Sequence, residues 1–288
     1  MGESNLLGEY LRARRELVQP ASVGLSTHGT RRVTGLRREE VAMLAGISSD
    51  YYLRLEQGRD RNPSSQVLDS LARVLQLDQA SADYLLSLVT SKSQPRRRRR
   101  REIVPAGTLQ LIETLPLPAY VFGRYTDVLA SNRLAQALSP NLQVGKNNLR
   151  TLFLDPAEKA LSADWERNTE LLVAVFRQSV GTDIDDPRVV ELVGELSLSS
   201  ERFCQLWARR DVAQPRSFDI HLHHPQVGDL TLSLEKLAIA GTEGQLLGIY
   251  HAEPASSSAE KLALLATLTS SIDTPVRYTT PSEHPPTV

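Results

Sequence analysis

Cysteine is almost absent from this sequence, which contains only one, Cys204. A single cysteine excludes an internal disulfide framework, and chains without disulfides are typical of reducing compartments. The side chains near it, Phe203, Leu206 and Trp207, are apolar. We therefore expect Cys204 to be a buried structural thiol rather than a redox sensor.

Long apolar runs are absent as well. No uninterrupted apolar run is long enough to cross a bilayer, and the N-terminus has no apolar signal region. Three motifs of catalysis and nucleotide binding are also missing: G-x-S-x-G, a phosphate-binding glycine loop and G-x-G-x-x-G. We expect a cytoplasmic protein that makes no membrane contact, is not an enzyme and carries no metal or other cofactor.

The net charge is only −1, but the charges are distributed unevenly along the 288 residues. Residues 1–101 carry a balance of +7, and the remaining residues carry −8. Without the six consecutive arginines Arg96–Arg101, the first balance falls to +1. A basic first part and an acidic second part are typical of a nucleic-acid-binding module joined to a module of another kind.

The stretch from Leu36 to Pro63 predicts two short helices and a tight turn. It reads LRREEVAMLAGISSDYYLRLEQGRDRNP. The apolar spacing predicts a first helix over Arg37–Leu44 and a second over Ser49–Gln57. Between them, Gly46 suits a turn conformation that side chains disfavour, and Ser48 is a good cap for the second helix.

The second helix has two different faces. Tyr52 and Leu55 are spaced to face inward. The residues expected to point outward are Ser49, Asp50, Tyr51 and Arg54. This arrangement predicts a helix-turn-helix whose second helix enters a major groove of DNA. The alternative is an ordinary helical hairpin in an all-helical core.

Three further helices are predicted around this motif, giving a five-helix, all-α domain over residues 1–90. The first covers Asn5–Val18, the fourth begins at Ser64-Ser65 and the fifth ends at Val89. The inner stripe of the first helix is expected to consist of Leu7, Tyr10, Leu11 and Leu17.

Two basic segments lie outside these helices. The connection Gln19–Gly35 carries Arg31 and Arg32, which are either a solvated pair or contacts to DNA phosphates or the minor groove. Residues 91–104 are expected to form a basic linker that contains Arg96–Arg101. This run is a solvated linker, an additional contact to phosphates, or both.

Residues 105–268 predict an α+β domain with helices on one face of a sheet. The first predicted elements are strands Pro118–Phe122 and Asp127–Ala130 and a helix Arg133–Leu138 capped by Asn132, an opening typical of PAS-like sensor domains. Further helices are predicted at Pro156–Thr169, Glu170–Val180, Arg188–Leu196, from Ser199 or Ser200 to Ala208, and Glu260–Leu268. Further strands are predicted at Arg216–His223, Asp229–Ala238 and Gln245–Ala252. Residues 269–288 are expected to be a disordered tail.

Two groups of side chains in this domain are candidates for a binding site. The large aromatic residues Trp165, Phe176, Phe203 and Trp207 either form the core or line a ligand pocket. His221 and His223 share a face of a strand, so a metal site is geometrically possible. We favour a second interpretation, in which His223 and His224 form the polar end of a ligand pocket.

Distinctive motifs occur in both halves of the chain. The first half contains GLRREEVAMLAGIS, YYLRLEQGRD and PSSQVLDSLARVL. The second half contains PAYV, LFLDP, DWE, LWA, HHPQVG and LTLSLE. Across roughly residues 5–268 the chain resembles the MmyB-like transcription regulators of bacteria, which join a repressor/Cro-type helix-turn-helix to a PAS-like ligand-binding domain.

The resemblance implies a homodimer that binds double-stranded DNA and encloses a small apolar molecule such as a fatty acid. On matching positions, it implies that Ser49, Asp50 and Arg54 face base edges, with Arg54 bound to guanine. Asp50 either accepts a hydrogen bond from cytosine or caps its own helix, and we favour the cap. Contacts to the phosphate backbone are implied for Ser48, Tyr51, Arg38, Arg59 and Arg61.

Two alternatives remain open for the second domain. It can be a metal-binding or enzymatic module tethered to DNA, in which case the histidines are the first candidates for metal ligands. It can also serve only for dimerisation, in which case the large aromatic residues are core and the domain has no pocket.

Overall fold

The structure is a computed structural model that describes residues 5–26, 31, 33–90, 102–214 and 217–270. Up to Thr90, the described residues form α-helices and one short 3-10 segment, as the predicted all-α domain requires. The helices are α1 (Leu6–Leu17), α2 (Arg38–Ala45), α3 (Ser49–Glu56), α4 (Ser65–Val74) and α5 (Gln79–Thr90), and the 3-10 segment is Pro20–Val23. The predictions for Arg32, for Arg96–Arg101 and for residues 271–288 lie outside the described residues.

Side-chain caps determine where several of these helices begin. Side-chain oxygens of Asn5, Ser48 and Ser64 accept hydrogen bonds from backbone N–H groups in the first turns of α1, α3 and α4, as such residues commonly do. Gly46 follows α2 with a φ of 70°, a conformation in which a side chain is strained. The predicted helix-turn-helix, with Ser48 as the cap of its second helix, is confirmed.

The predicted inner stripe of α1 is wrong at one position. Leu7 and Leu11 are buried, but Leu17 is 46% exposed. Helical spacing from Leu11 leads instead to Arg15 and Val18, and both are buried. The stripe of α1 therefore continues through a charged residue, which a pattern of apolar residues does not reveal.

The second part of the chain is α+β, as predicted, with five antiparallel strands. The strands are β1 (Ala119–Phe122), β2 (Val128–Ser131), β3 (Phe218–His224), β4 (Gly228–Ala238) and β5 (Leu246–His251). They form one sheet in the order β2-β1-β5-β4-β3. All five predicted strands exist, with ends shifted by one or two residues.

The helices of this part are α6 (Ala106–Thr114), α7 (Arg133–Leu138), α8 (Asn148–Leu154), α9 (Pro156–Leu161), α10 (Trp165–Val180), α11 (Pro187–Ser199), α12 (Glu201–Arg209) and α13 (Ser257–Ser270), with a 3-10 segment at Pro140–Leu142. The predicted break between Thr169 and Glu170 is wrong, because α10 runs through both. The break lies earlier, where the Ala163 N–H donates to the His221 carbonyl of β3 at 3.0 Å. This bond replaces the one that would continue α9.

Helices cover both faces of the sheet, which corrects the prediction of helices on one face. Tyr120 and Phe122 of β1 face a core shared with α7, α9 and α13. Ala119 and Val121 face the other way, against Ile112 of α6. The alternation of β1 thus buries both faces. Val104, which was expected in the linker, packs with α6 in the same core.

Cys204 is exposed, so the predicted buried thiol is wrong. It lies on α12, where Phe203 and Leu206 are buried. Because neighbouring residues on a helix point in different directions, apolar neighbours in sequence do not bury Cys204.

The two domains are in contact through the segment that follows α12. Val212 is 5% exposed and belongs to the hydrophobic core of the first domain. Beside it, the Asp211 carboxylate accepts a hydrogen bond from Arg14 of α1 at 2.6 Å, and Arg210 pairs with Glu9 of α1. Apolar burial and two ion pairs therefore hold the second domain against α1.

Candidate nucleic-acid interface and ligand cavity

The inner face of α3 is anchored by apolar burial and by a buried carboxylate. Tyr52 and Leu55 are fully buried, as predicted. Glu56 is also fully buried, and its carboxylate accepts hydrogen bonds from Arg15 Nε at 2.7 Å and Arg38 Nε at 2.6 Å. Buried charges are stable only when paired in this way. The arrangement holds α3 against α1 and α2.

The outer face of α3 is open to solvent. Ser49, Asp50 and Arg54 are exposed, and Tyr51 is half-buried. Arg54 Nη1 donates to Asp50 Oδ2 at 2.7 Å, and the guanidinium lies 5.7 Å from the centre of the Tyr51 ring. These contacts hold Arg54 along the exposed face of α3.

The favoured interpretation of Asp50 as a cap of its own helix is corrected. Ser48 Oγ accepts the hydrogen bond from the Tyr51 N–H at 3.1 Å. The Asp50 carboxylate pairs instead with Arg54, one helical turn later. Its acceptance of a hydrogen bond from cytosine stays a prediction.

The residues predicted to contact phosphates lie before α3, in its first turn and in the segment after it. Arg59 and Arg61 are exposed in the segment after α3, and Arg61 Nε donates to the Gly58 carbonyl at 3.0 Å. The Arg38 side chain remains 44% exposed while it bonds Glu56. Their contacts to DNA, like those of Ser48 and Tyr51, stay predictions.

Arg31 is engaged within the protein. Its two Nη atoms donate to the Glu40 carboxylate at 2.9 and 2.7 Å, and Nη2 also donates to the Gly35 carbonyl. The hydrogen bond from Arg31 holds the pKa of Glu40 below its usual range. These bonds hold Arg31 at the start of α2, and a phosphate would have to compete with the bidentate pair. The contact of Arg31 to DNA stays a prediction.

A cavity lies between the sheet and the helices of the second domain. Leucines from β3, β4 and several helices line it together with Tyr120, Phe122, Phe218 and Tyr250. Its volume is about 710 Å³ when all space between the lining atoms and at its open mouth is counted. A space lined mainly by apolar side chains, with polar groups among them, is typical of small-molecule sites.

The large aromatic residues predicted for a pocket are core instead. Trp165, Phe176, Phe203 and Trp207 belong to the cluster formed by α8, α10, α11 and α12, outside the lining of the cavity. The Phe203 and Trp207 rings stack at 5.9 Å, and Trp165 Nε1 donates to the Leu152 carbonyl at 2.7 Å. The structure thus selects the core interpretation for these four residues.

The histidines also lie outside the cavity lining. His221 Nδ1 lies 2.6 Å from Asp164 Oδ2, and His223 Nδ1 lies 2.7 Å from Asp229 Oδ1. Each pairs with a different carboxylate. Within the part of the chain that the structure describes, no group of three or more His, Cys, Asp or Glu side chains is placed to bind a metal ion.

His224 has a structural position at the end of β3. Its Nδ1 accepts hydrogen bonds from the N–H groups of Gln226 and Val227, which places the proton on Nε2. Nε2 then donates to the Ala137 carbonyl at 3.0 Å. His224 therefore fastens the turn between β3 and β4 to α7 and does not form the polar end of the cavity.

Four titratable residues of the cavity were not predicted. Tyr120, Glu158, Lys236 and Tyr250 all line it. Ser139 Oγ and Asn141 Nδ2 donate to the Glu158 carboxylate at 2.8 and 2.6 Å. Of the four, only Lys236 had a signal in the sequence, because it follows Leu230, Leu232 and Leu234 in the alternation of β4.

Comparisons with known proteins agree with this division of the chain. A helix-turn-helix domain model matches residues 6–85. A model described as the MmyB-like transcription regulator ligand binding domain matches residues 104–265. No curated protein sequence matches the chain significantly. Among the described helices, none combines the length and the apolar character needed to cross a membrane. A DNA-binding helix-turn-helix domain followed by this ligand-binding domain makes the protein a transcription regulator, and it belongs to the MmyB-like family.

Proposed function

We propose that the protein binds double-stranded DNA sequence-specifically as a homodimer, with α3 as its recognition helix. The observation that carries this proposal is the polar, exposed face of α3, backed by an anchored inner face. Two copies would present α3 to half-sites about one helical turn apart. Arg54 would bond two acceptors of a guanine, and Arg38, Arg59 and Arg61 would contact phosphates.

The test is the loss of sequence-specific binding in Arg54→Ala. A duplex selected from a random pool by the wild-type protein is titrated by fluorescence anisotropy at fixed salt. We expect its Kd to rise about 10- to 100-fold, since a bidentate base contact contributes about 1–3 kcal/mol of discrimination. Arg73→Ala, which removes an exposed arginine of α4, serves as the control. An unchanged Kd in Arg54→Ala would exclude α3 as the recognition helix.

For the second domain, we propose a PAS-like sensor that holds a small apolar ligand, of fatty-acid-like character, in the cavity. The opening hairpin, the helix after it and three returning strands support the PAS-like assignment. The apolar lining supports the ligand class. The cavity also favours ligand binding over a domain that serves only for dimerisation, because such a domain needs no pocket.

We further propose that the ligand changes DNA affinity through α10. Leu171 and Leu172 of α10 line the cavity. Arg177, one to two turns later, is buried, stacks on Trp207 at 3.7 Å and interacts with the Tyr84 hydroxyl of α5. Burial lowers the pKa of Arg177 to about 10. A helix that contacts both the cavity and the first domain can transmit a difference in affinity between two arrangements.

A further inference from the structure

Lys236 occupies an inward position on β4. The residues Leu230, Leu232 and Leu234 alternate along this strand and are buried on the cavity face. Lys236 is the next residue on the same face, because side chains two apart on a strand share a face. It lines the cavity, and its Nζ lies 5.1 Å from the centre of the Phe218 ring. A cation therefore lies at the wall of a mostly apolar space.

Two tyrosine hydroxyls lie in the same part of the sheet. In the register of the strands, Tyr120 pairs with Gly248, and Gly248 pairs with Lys236 on its other side. A side chain at Gly248 would collide with the Tyr120 ring, since a Cβ there would lie 2.6 Å from its hydroxyl oxygen. Because Gly248 of β5 has no side chain, the Tyr120 ring of β1 can extend over β5 toward Lys236 of β4. The Tyr120 hydroxyl also interacts with that of Tyr250.

The Lys236 charge has no partner in an ion pair among the residues that the structure describes. Although part of the side chain reaches solvent, the surrounding protein desolvates the amine and lowers its pKa to about 8. It therefore remains mainly protonated at pH 7. The carboxylate of the cavity, Glu158, is hydrogen-bonded by Ser139 and Asn141 instead. A cation in an apolar site is unfavourable in free energy unless an anion binds next to it.

We propose that Lys236 determines which head group the cavity accepts, because its ammonium binds a carboxylate at the end of the ligand's apolar chain. This inference rests on the proposed function, in which the cavity is the ligand site. One of the Tyr120 and Tyr250 hydroxyls donates its hydrogen to the other, which leaves one O–H group to donate to an oxygen of the ligand. The chain of the ligand would lie along the leucines of the cavity.

The test compares decanoate with decan-1-ol, which has the same chain but no charge. Both are titrated by calorimetry into the full-length protein at pH 7. Decanoate is expected to bind wild-type protein about 10- to 100-fold more tightly than decan-1-ol, as a charge-assisted hydrogen bond predicts. Lys236→Gln should lose this preference and keep the affinity for decan-1-ol. Lys146→Gln, which removes an exposed lysine outside the cavity, should behave as wild type.

A pH series on the wild-type protein gives an independent result that needs no variant. Decanoate affinity should fall up to about tenfold per pH unit above about pH 8, where free Lys236 loses its proton. The other titratable groups of the cavity are Glu158, Tyr120 and Tyr250, and burial raises the pKa of both tyrosines. The tyrosines therefore stay neutral through this range, and decan-1-ol affinity should not change.

The possible outcomes separate the two proposals. Equal binding of both compounds, unaffected by Lys236→Gln and by pH, would overturn the role of Lys236 and leave the cavity as a ligand site. Failure of both compounds to bind would overturn the assignment of the cavity to fatty-acid-like ligands, and the role of Lys236 with it.

Discussion

At the scale of single residues, Glu56 determines how α3 is held. Its carboxylate is fully buried and is the common acceptor for Arg15 of α1 and Arg38 of α2. Asn5 adds a hydrogen bond to the Glu56 carbonyl at 2.8 Å. Because α3 is only eight residues long, it depends on such tertiary contacts rather than on its own helical stability.

Removing this carboxylate should loosen the helix-turn-helix. In Glu56→Gln, the buried Arg15 loses its counter-charge, and such losses cost about 3–5 kcal/mol. We expect amide hydrogen exchange in α1 and α3 to show an opening free energy lowered by about this amount. The control is Glu39→Gln, which changes an exposed glutamate of α2 and should leave exchange unchanged. Equal protection in both variants would show that Glu56 does not anchor α3.

At the scale of secondary-structure elements, the segment after α12 is the main apolar contact between the domains. Val212 enters the core of the first domain, while Arg14 and Asp211 pair next to it. The Ala213 N–H donates to the Ala174 carbonyl of α10 at 3.2 Å. The segment is thus bonded to α10 on one side and to α1 on the other. A displacement of α10 would therefore be transmitted to α1.

Placing a charge at Val212 should separate the domains. In Val212→Asp, a carboxylate without a partner would have to enter an apolar core, which is strongly unfavourable. We expect small-angle X-ray scattering to show a larger radius of gyration than for the wild-type protein. Val190→Asp places the same charge on a residue that is 57% exposed and should leave the radius unchanged. Identical scattering of both variants would show that Val212 does not hold the domains together.

The elements that could be predicted from the sequence are those determined by neighbouring residues. Ser48, Gly46 and the spacing of Tyr52 and Leu55 lie within a few positions, so local preferences suffice to predict the helix-turn-helix. The strand β4 was also predictable, from the alternation of Leu230, Leu232 and Leu234. The helices α6 and α8 were missed, because with nine and seven residues they are too short to establish a helical period in the sequence.

The features that could not be predicted depend on residues far apart in the chain. Arg15 is buried because Glu56, 41 positions later, neutralises it. The cavity depends on which strands become neighbours, and large aromatic residues look alike in sequence whether they form a core or line a pocket. Lys236 is the exception, since a charged residue in an inward position of an alternating strand is visible before the fold is known.

At the scale of the whole molecule, contacts between the domains connect the proposed DNA-reading surface to the ligand cavity. Such coupling is reciprocal: a ligand that changes DNA affinity by some factor must have its own affinity changed by DNA by the same factor. The ligand can act only if it binds one arrangement of the two domains more tightly than the other.

The most direct test is the DNA affinity of the full-length protein with and without decanoate. The selected duplex is titrated at fixed salt into the ligand-free protein and into protein that calorimetry shows to be saturated. We expect the two Kd values to differ about 5- to 150-fold, the usual range of allosteric coupling. Equal Kd values for the free and the saturated protein would contradict the proposed coupling between ligand and DNA binding.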